Sequence, residues 1–304
     1  MKYKNFQKAY YNLIKDIMTN GNNVTVRGLD MLECIPKYFE IENPRDRLLN
    51  IKCRSKIDKY IFGELMWYLS GRDDIEFIDK YSKVWAKLSD DNVHNNSAYG
   101  KYIFGQMPRK GYGVNYDNNN DFYSQWEYAK ETLQKDPFSR QAVIHIKPIQ
   151  MYNTKDVTCT FLLQFFIRDN KLDMIVCMRS NDILFGTTYD VFMFTFLQEL
   201  MAAELDLELG TYKHFASNMH IYKKDMETID NILKENAENA ETFEFAKIPK
   251  DFREKDLPIL LHLEELYWKN NKSKSIIFTE EYSKLSDIGT QLINFLIEEK
   301  HNEN

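Results

Sequence analysis

The stretch RSNDILFGTTYD, residues 179–190, places an arginine, two aspartates and a glycine between two apolar runs. It follows KLDMIVCM (171–178), which reads as a strand, and precedes VFMFTFLQELMAAELDLELG (191–210), which carries no charge before Glu199. The second run predicts a buried helix over 190–206. Polar groups gathered where a buried strand hands over to a buried helix mark a natural place for a site.

Working outward, VTCTFLLQFFIRD (157–169) is a further strand, joined to KLDMIVCM by the turn RDNK. QAVIHIKP (141–148) makes a third. Upstream, residues 3–20 read as an amphipathic helix, VTVRGLDMLECIPKYFEI (24–41) as strands around a turn, and KIDKYIFGELMWYLSG (56–71) as a helix that Gly71 stops. Residues 87–122 are polar and rich in asparagine around the ordered piece SAYGKYIFG, and a helix follows at 122–135 until Pro137 breaks it. Past residue 223 the chain turns to Lys, Glu and Asn, with apolar islands at DLPILLHLEELYW (256–268) and IGTQLINFLIEE (288–299). The expected organisation is a core over 1–225 and an accessory helical extension, 226–304, packed on the same domain.

Composition bounds the function. A chain of 304 residues with 43% hydrophobic and 14% aromatic residues buries a large core. A formal charge of −6 argues against broad binding to a nucleic-acid backbone. The four cysteines, Cys34, Cys53, Cys159 and Cys177, form no C-x-x-C pair and no zinc spacing. With no signal-like start and no apolar run near the about 18 residues of a membrane span, the expectation is a cytoplasmic protein without metal, nucleic acid or membrane partner.

Cys159 is the first candidate for chemistry. A cysteine in an apolar strand is ordinarily a small core residue, but Arg27, Arg140 and Arg179 would each lower its pKa if folded close by. Glu64 sits inside an apolar helix, where it is either at a rim or in a pocket.

These residues carry a resemblance. DPFSRQAVIHIKP (136–148), VTCT…RSNDILFGTTYD (157–190) and SNMHIY (217–222), with GELMWYLSG, VWAK and AYGKYIFG upstream, are similar in order and spacing to the core of the thymidylate synthase family, over roughly residues 10–225. The resemblance implies an α+β fold, a large mixed β-sheet flanked by helices, with two copies paired sheet to sheet as a homodimer. It implies that the thiolate of Cys159 attacks carbon 6 of a pyrimidine nucleotide, making carbon 5 nucleophilic enough to take a one-carbon unit from 5,10-methylenetetrahydrofolate. Glu64 then organises water and proton transfer, and Tyr99 stands near the proton lost from carbon 5. Arg27, Arg179, Ser180 and, from the partner subunit, Arg140 hold the 5′-phosphate. His220 and Tyr222 hold the sugar 3′-hydroxyl. Trp85, Asp182 and Gly186 contact the folate.

Departures from the family pattern bear on the reaction. Thymidylate-forming members carry asparagine at Asp190, where its amide reads the uracil edge. A carboxyl group donating to N3 and accepting from the 4-amino group suits cytosine, and aspartate here resembles the deoxycytidylate hydroxymethylases of bacteriophages. The alternative is that Asp190 only caps a helix starting at Val191. The polar end LIEEKHNEN and Met178, in place of the usual glutamine, favour water addition over hydride transfer. Gln141, where a second arginine is usual, weakens the phosphate clamp by one charge and leaves ribose against deoxyribose open, and Thr160 stands where histidine often follows the cysteine. The leading expectation is hydroxymethylation of dCMP, in the host cytoplasm if the chain is phage-encoded. Thymidylate synthesis, C5 methylation of dCMP or CMP, CMP hydroxymethylation and an inactive nucleotide- or RNA-binding relative are the alternatives.

Overall fold

A computed structural model of the protein describes residues 1–54, 58–105, 107–108, 122–146 and 154–297. The chain opens with β1 (Lys2–Tyr3) and α1 (Phe6–Asn20). Asn5 caps α1 by accepting a hydrogen bond from the Lys8 N–H at 3.1 Å. Tyr10, Leu13, Ile14 and Ile17 form its fully buried stripe, the i, i+3, i+4 spacing of an amphipathic helix. Next come β2 (Asn22–Val26), β3 (Leu29–Cys34) and β4 (Lys37–Ile41). The β2–β3 hairpin turns on Arg27 and Gly28, with φ of 53° and 77°, the left-handed pair that a two-residue hairpin loop requires.

Helix α2 (Asp58–Leu69) ends directly before the Ser70-Gly71 pair, and Gly71 takes φ 66° as the stop expected from sequence. Two short helices follow, α3 (Ile75–Ile78) and α4 (Val84–Leu88), and then α5 (Tyr99–Phe104). A Cβ on Gly100 would stand 2.3 Å from the Tyr68 carbonyl oxygen, so glycine is what lets α5 lie directly on α2. A ribbon of β5 (Met107–Pro108) and β6 (Phe122–Tyr123) precedes α6 (Gln125–Lys135), which Ser124 caps.

Three strands follow: β7 (Val143–His145), β8 (Thr160–Arg168) and β9 (Lys171–Met178). Asp169 and Asn170, with φ of 50° and 58°, close the β8–β9 hairpin at the predicted turn. The chain then forms β10 (Asn181–Asp182), α7 (Gly186–Glu204), β11 (Glu208–Ala216), β12 (Met219–Tyr222) and α8 (Met226–Glu235). It finishes with α9 (Asp256–Lys269) and α10 (Asp287–Ile297), one on each apolar island.

The large sheet runs β1-β4-β11-β9-β8-β7, and it is mixed, because β9 pairs parallel with β11 and antiparallel with β8. The crossover joining β9 to β11 is α7, a βαβ unit that lays the helix over the sheet. On the face beneath it Leu163, Phe165, Met174, Val176 and Tyr212 are fully buried. Each contributes roughly 1.5–3 kcal/mol through burial. On the opposite face the cross-strand set Leu162, Phe166, Ile175, Cys177 and Phe215 is only half-buried. A second sheet, β10-β12-β3-β2, stands beside the first.

The C-terminal helices α9 and α10 pack on α2, and Leu260, Leu292 and Leu296 join the same buried cluster as Phe6 and Phe165. A buried ion pair ties the segment after β4 to α7: Glu199 accepts from Arg47 and, at 2.7 Å, from Arg45. Further along, Glu204 accepts from Lys130 at 3.0 Å and Arg253 at 3.1 Å. Among the described residues no helix is long and apolar enough to cross a membrane.

One sequence expectation needs correction. Helix α7 starts at Gly186, not near residue 190, because the Asp182 carboxylate accepts from the backbone N–H groups of Leu184, Phe185 and Gly186 at 3.2, 2.9 and 3.5 Å. Asp190 lies inside the helix and is not the cap of a helix starting at Val191.

Candidate active site

Cys159 stands at the entry of β8, where the register with β9 shifts between Thr160 and Leu162. The residue itself immediately precedes the strand and is half-buried. Its carbonyl accepts from the Arg179 N–H at 2.8 Å, so the end of β9 holds it from the other side. The Arg179 side chain folds back over the same segment. Nε donates to the Thr158 carbonyl at 2.9 Å and Nη2 to the Val157 carbonyl at 2.7 Å, and Nη2 stands 3.5 Å from Cys159 Sγ. Tyr99, at the first turn of α5, accepts at its hydroxyl from the Cys159 and Thr160 N–H groups at 3.1 and 3.2 Å.

Of the three arginines expected to lower the thiol pKa if folded close by, Arg179 is in contact with the sulfur and does so, against a larger rise from burial. Burial pushes the Cys159 thiol up; Arg179 opposes the rise, and Asp190 and Asp156 add to it. Arg27 and Arg140 are exposed, and neither is among the groups that shift the thiol.

Glu64 lies on α2 among Leu65, Met66 and Trp67 and is only 5% exposed. Burial, joined by the charge of Asp190 and partly offset by a hydrogen bond with Tyr60, raises its pKa to about 8. A group so placed holds its proton at neutral pH and can release it in a reaction. The Tyr60 hydroxyl also accepts from the Trp85 indole N–H at 3.2 Å, and its ring lies 4.5 Å from that of Tyr189. Trp85 rests against Trp67, with ring centroids 5.3 Å apart.

Asp190 projects from the first turns of α7 into the same space. Burial lifts its carboxyl to about 7; a hydrogen bond from Asn181 opposes this, and Asp182 adds to it. Asn181 donates through Nδ2 to Asp190 Oδ2 at 2.7 Å and accepts at Oδ1 from the Thr187 hydroxyl at 2.6 Å. Sequence reasoning missed Asn181 and Thr187. Their only signal was two polar residues with short side chains flanking the Asp182 turn.

The remaining candidates divide. His220 is buried on β12, paired parallel with Asp182 of β10 and in edge contact with Tyr222 at 4.9 Å. Its Nδ1 faces Asn218 Oδ1 at 2.9 Å, and burial lowers its pKa, against the pull of Asp182 and Glu33. Asp182 is half-buried, with the α7 N–H groups already on its carboxylate, and Gly186 sits directly above it. Ser180 is half-buried beside Arg179. Arg27 lies within electrostatic reach of Tyr222. Arg140 is exposed, its carbonyl held by Gln164 at 2.9 Å.

Glu64 Oε2, Thr158 Oγ1, Thr160 Oγ1 and His220 Nε2 are buried without a hydrogen-bond partner among the described residues. Unmatched groups of this kind are costly unless a ligand or water meets them. Among the described residues no group of three or more His, Cys, Asp or Glu is arranged to hold a metal ion. A thiol, two carboxyl groups that are neutral or half-neutral at pH 7, and an arginine can support covalent addition coupled to proton transfer.

Comparison with known proteins points to one family. Residues 8–268 match the thymidylate synthase family model, which therefore runs past residue 225. The chain is 32% identical over 257 residues to the deoxyuridylate hydroxymethyltransferase of Bacillus phage SP01, covering 81% of this chain and 65% of that protein. It is 26% identical to the protein of that name from Delftia phage PhiW-14, covering 74% and 66%. The chain thus spans about two thirds of the length of these relatives. Thermostable thymidylate synthase A from Bacillus subtilis has the same fold, with a TM-score of 0.64 at 23% identity, over 82% of this chain and 91% of that one.

Proposed function

The chain belongs to the thymidylate synthase family, and on that premise we propose that it transfers a one-carbon unit to carbon 5 of deoxycytidylate, with water completing the reaction to 5-hydroxymethyl-deoxycytidylate. In this reading 5,10-methylenetetrahydrofolate supplies the carbon when bound. The Cys159 thiol gives its proton to a neighbouring base, and the resulting thiolate adds to carbon 6, displacing the ring's double-bond electrons toward carbon 5. Arg179, 3.5 Å from the sulfur, stabilises the thiolate, and the rise imposed by burial keeps the thiol protonated until substrate arrives.

The observation that carries cytosine is Asp190. A carboxyl group lifted to about 7 holds a proton for part of its time at neutral pH. It can donate that proton to N3 of cytosine and accept from the 4-amino group, which also draws electrons from carbon 6. Glu64, protonated below about 8, is the second proton store and the natural guide for the terminal water. Tyr99, fixed by two backbone N–H groups, keeps its hydroxyl beside Cys159 for the carbon 5 proton.

The phosphate falls to Arg179, Arg27 and Ser180, and the sugar hydroxyl to His220, whose Nε2 is unpartnered, and Tyr222. Trp85, with its indole N–H already tied to Tyr60, offers a flat apolar face to a pterin ring, and Asp182 Oδ1 accepts only one N–H and keeps capacity for another. These residues fit a folate. The half-buried apolar face of Leu162, Phe166, Ile175, Cys177 and Phe215 supports a sheet-to-sheet homodimer, through which Arg140 reaches the partner's phosphate site. Helices α9 and α10 act as a layer that stiffens α2 from behind. The setting proposed is the cytoplasm, the host's if the chain is phage-encoded.

A second reading keeps water addition and replaces cytosine by uracil, because the two phage relatives are named for deoxyuridylate. Release of tritium from carbon 5 decides between them, measured with labelled dCMP and dUMP in competition in the presence of methylenetetrahydrofolate. Faster release from dCMP is expected. Release from dUMP alone overturns the cytosine reading.

A further inference from the structure

A carboxyl group is not by itself a directional reader. With its proton on one oxygen it matches the N3 acceptor and amino donor of cytosine; with the proton on the other it matches the N3–H donor and carbonyl acceptor of uracil. Asp190 discriminates only if something decides which oxygen carries the proton. We propose that Asn181 is that positioning residue, confining the Asp190 proton to Oδ1 and so setting which pyrimidine the site accepts. The inference rests on the reading that Asp190 faces the base.

Three observations carry it. The Asn181 amide has only hydrogens to offer along the 2.7 Å contact from Nδ2 to Asp190 Oδ2. A proton on Oδ2 pointing along that contact would set two donors face to face, so Oδ2 stays an acceptor and the proton goes to Oδ1. The amide is itself oriented, because the buried Thr187 hydroxyl donates to Asn181 Oδ1 at 2.6 Å, shorter than its 3.1 Å approach to the Asp182 carbonyl. Finally, Asn181 is 2% exposed, so water does not compete for its amide, and Gly186 leaves the amide its room: a Cβ there would stand 3.0 Å from Nδ2.

The pair therefore behaves as a carboxyl with a fixed donor and a fixed acceptor. Replacing Asn181 by an isosteric acceptor reverses the pattern, and removing the amide leaves the proton free on either oxygen.

The test is the ratio of dissociation constants for dCMP and dUMP, by calorimetry on the full-length protein, together with the ratio of kcat/KM. Wild type, Asn181→Asp, Asn181→Ala and Thr187→Val are compared. Asn181→Asp should move the ratio toward the base that wild type disfavours by roughly tenfold or more, and Asn181→Ala should bring it toward unity. Thr187→Val, which frees the amide to turn, should shift it in the same sense by less. If Asn181→Asp does not fold, the other two decide. Ratios unchanged within about twofold in folded variants, as judged by thermal unfolding, overturn the inference, because a merely structural role would alter stability and leave the ratio alone. The sign of the wild-type preference tests the cytosine reading separately: a wild type that prefers dUMP, with the ratio still moving in Asn181→Asp, defeats that reading and supports the role of Asn181.

Discussion

At the N-terminal end of α7, Asp190 is held by one amide and, among the described residues, by no ion pair; further along the same helix Glu199 is gripped by Arg45 and Arg47, and Glu204 by Lys130 and Arg253. Both ends bury carboxyl groups, yet the physical solutions differ. A buried carboxylate with cationic partners stays charged and ties elements together, and removing one partner strands the other. A buried carboxyl without a cation is driven toward neutrality, as Asp190 is to about 7 and Glu64 to about 8. Such a group costs stability and is available to exchange protons with a ligand. The difference separates the structural charges of this fold from those that work.

The division makes opposed predictions: changes around Cys159 and Asp190 should cost activity and spare stability, and changes at the charged pairs of Glu199 and Glu204 should do the reverse. The largest effect is expected at the nucleophile. Cys159→Ala should lower turnover by about 10⁴-fold or more while the thermal midpoint stays close to wild type; appreciable residual turnover in purified variant would break the mechanism. Next in size, Glu199→Gln leaves Arg47, 2% exposed, without its counter-charge. It should destabilise by about 3–5 kcal/mol, read by urea unfolding, with the specific activity of folded protein unchanged.

Asp190→Asn should come third, shifting selectivity from dCMP toward dUMP by about 10²-fold with no loss of stability. A variant that still prefers dCMP would show that the base is read elsewhere. The smallest effect is a pH dependence. The folded pKa of Glu64 is raised, so its contribution to stability is fully present below its ordinary value of 4.5 and is lost as pH rises through about 8. Unfolding free energies at pH 5 and pH 8.5 should therefore diverge between wild type and Glu64→Gln by roughly 1–3 kcal/mol, the variant gaining at the higher pH. Parallel behaviour would mean that Glu64 is better solvated than its burial implies.

Much of this site was legible in the sequence because its residues sit in short motifs. Cys159 and Arg179 stand near the ends of paired strands, and a hairpin turn with Asp169 and Asn170 suffices to bring them together. Glu64 stood out as a carboxyl inside an apolar helix. What was not legible depends on backbone groups and on depth. The start of α7 at Gly186 follows from Asp182 collecting three N–H groups, a pattern that composition does not reveal. The raised thiol pKa follows from burial of the β8 entry, which outweighs Arg179 in contact with the sulfur. Asn181 gained meaning only when the turn through Gly186 set it against Asp190. The pairing of Arg47 with Glu199 spans too much chain for any local pattern to announce it.

The most direct test of water-terminated chemistry on cytosine is mass spectrometry of the nucleotide product, formed from dCMP and methylenetetrahydrofolate in ¹⁸O-labelled water with dUMP in a parallel reaction. A hydroxymethylated cytosine nucleotide carrying the heavy oxygen is the expected result. A methylated product, or modification of dUMP alone, would contradict it.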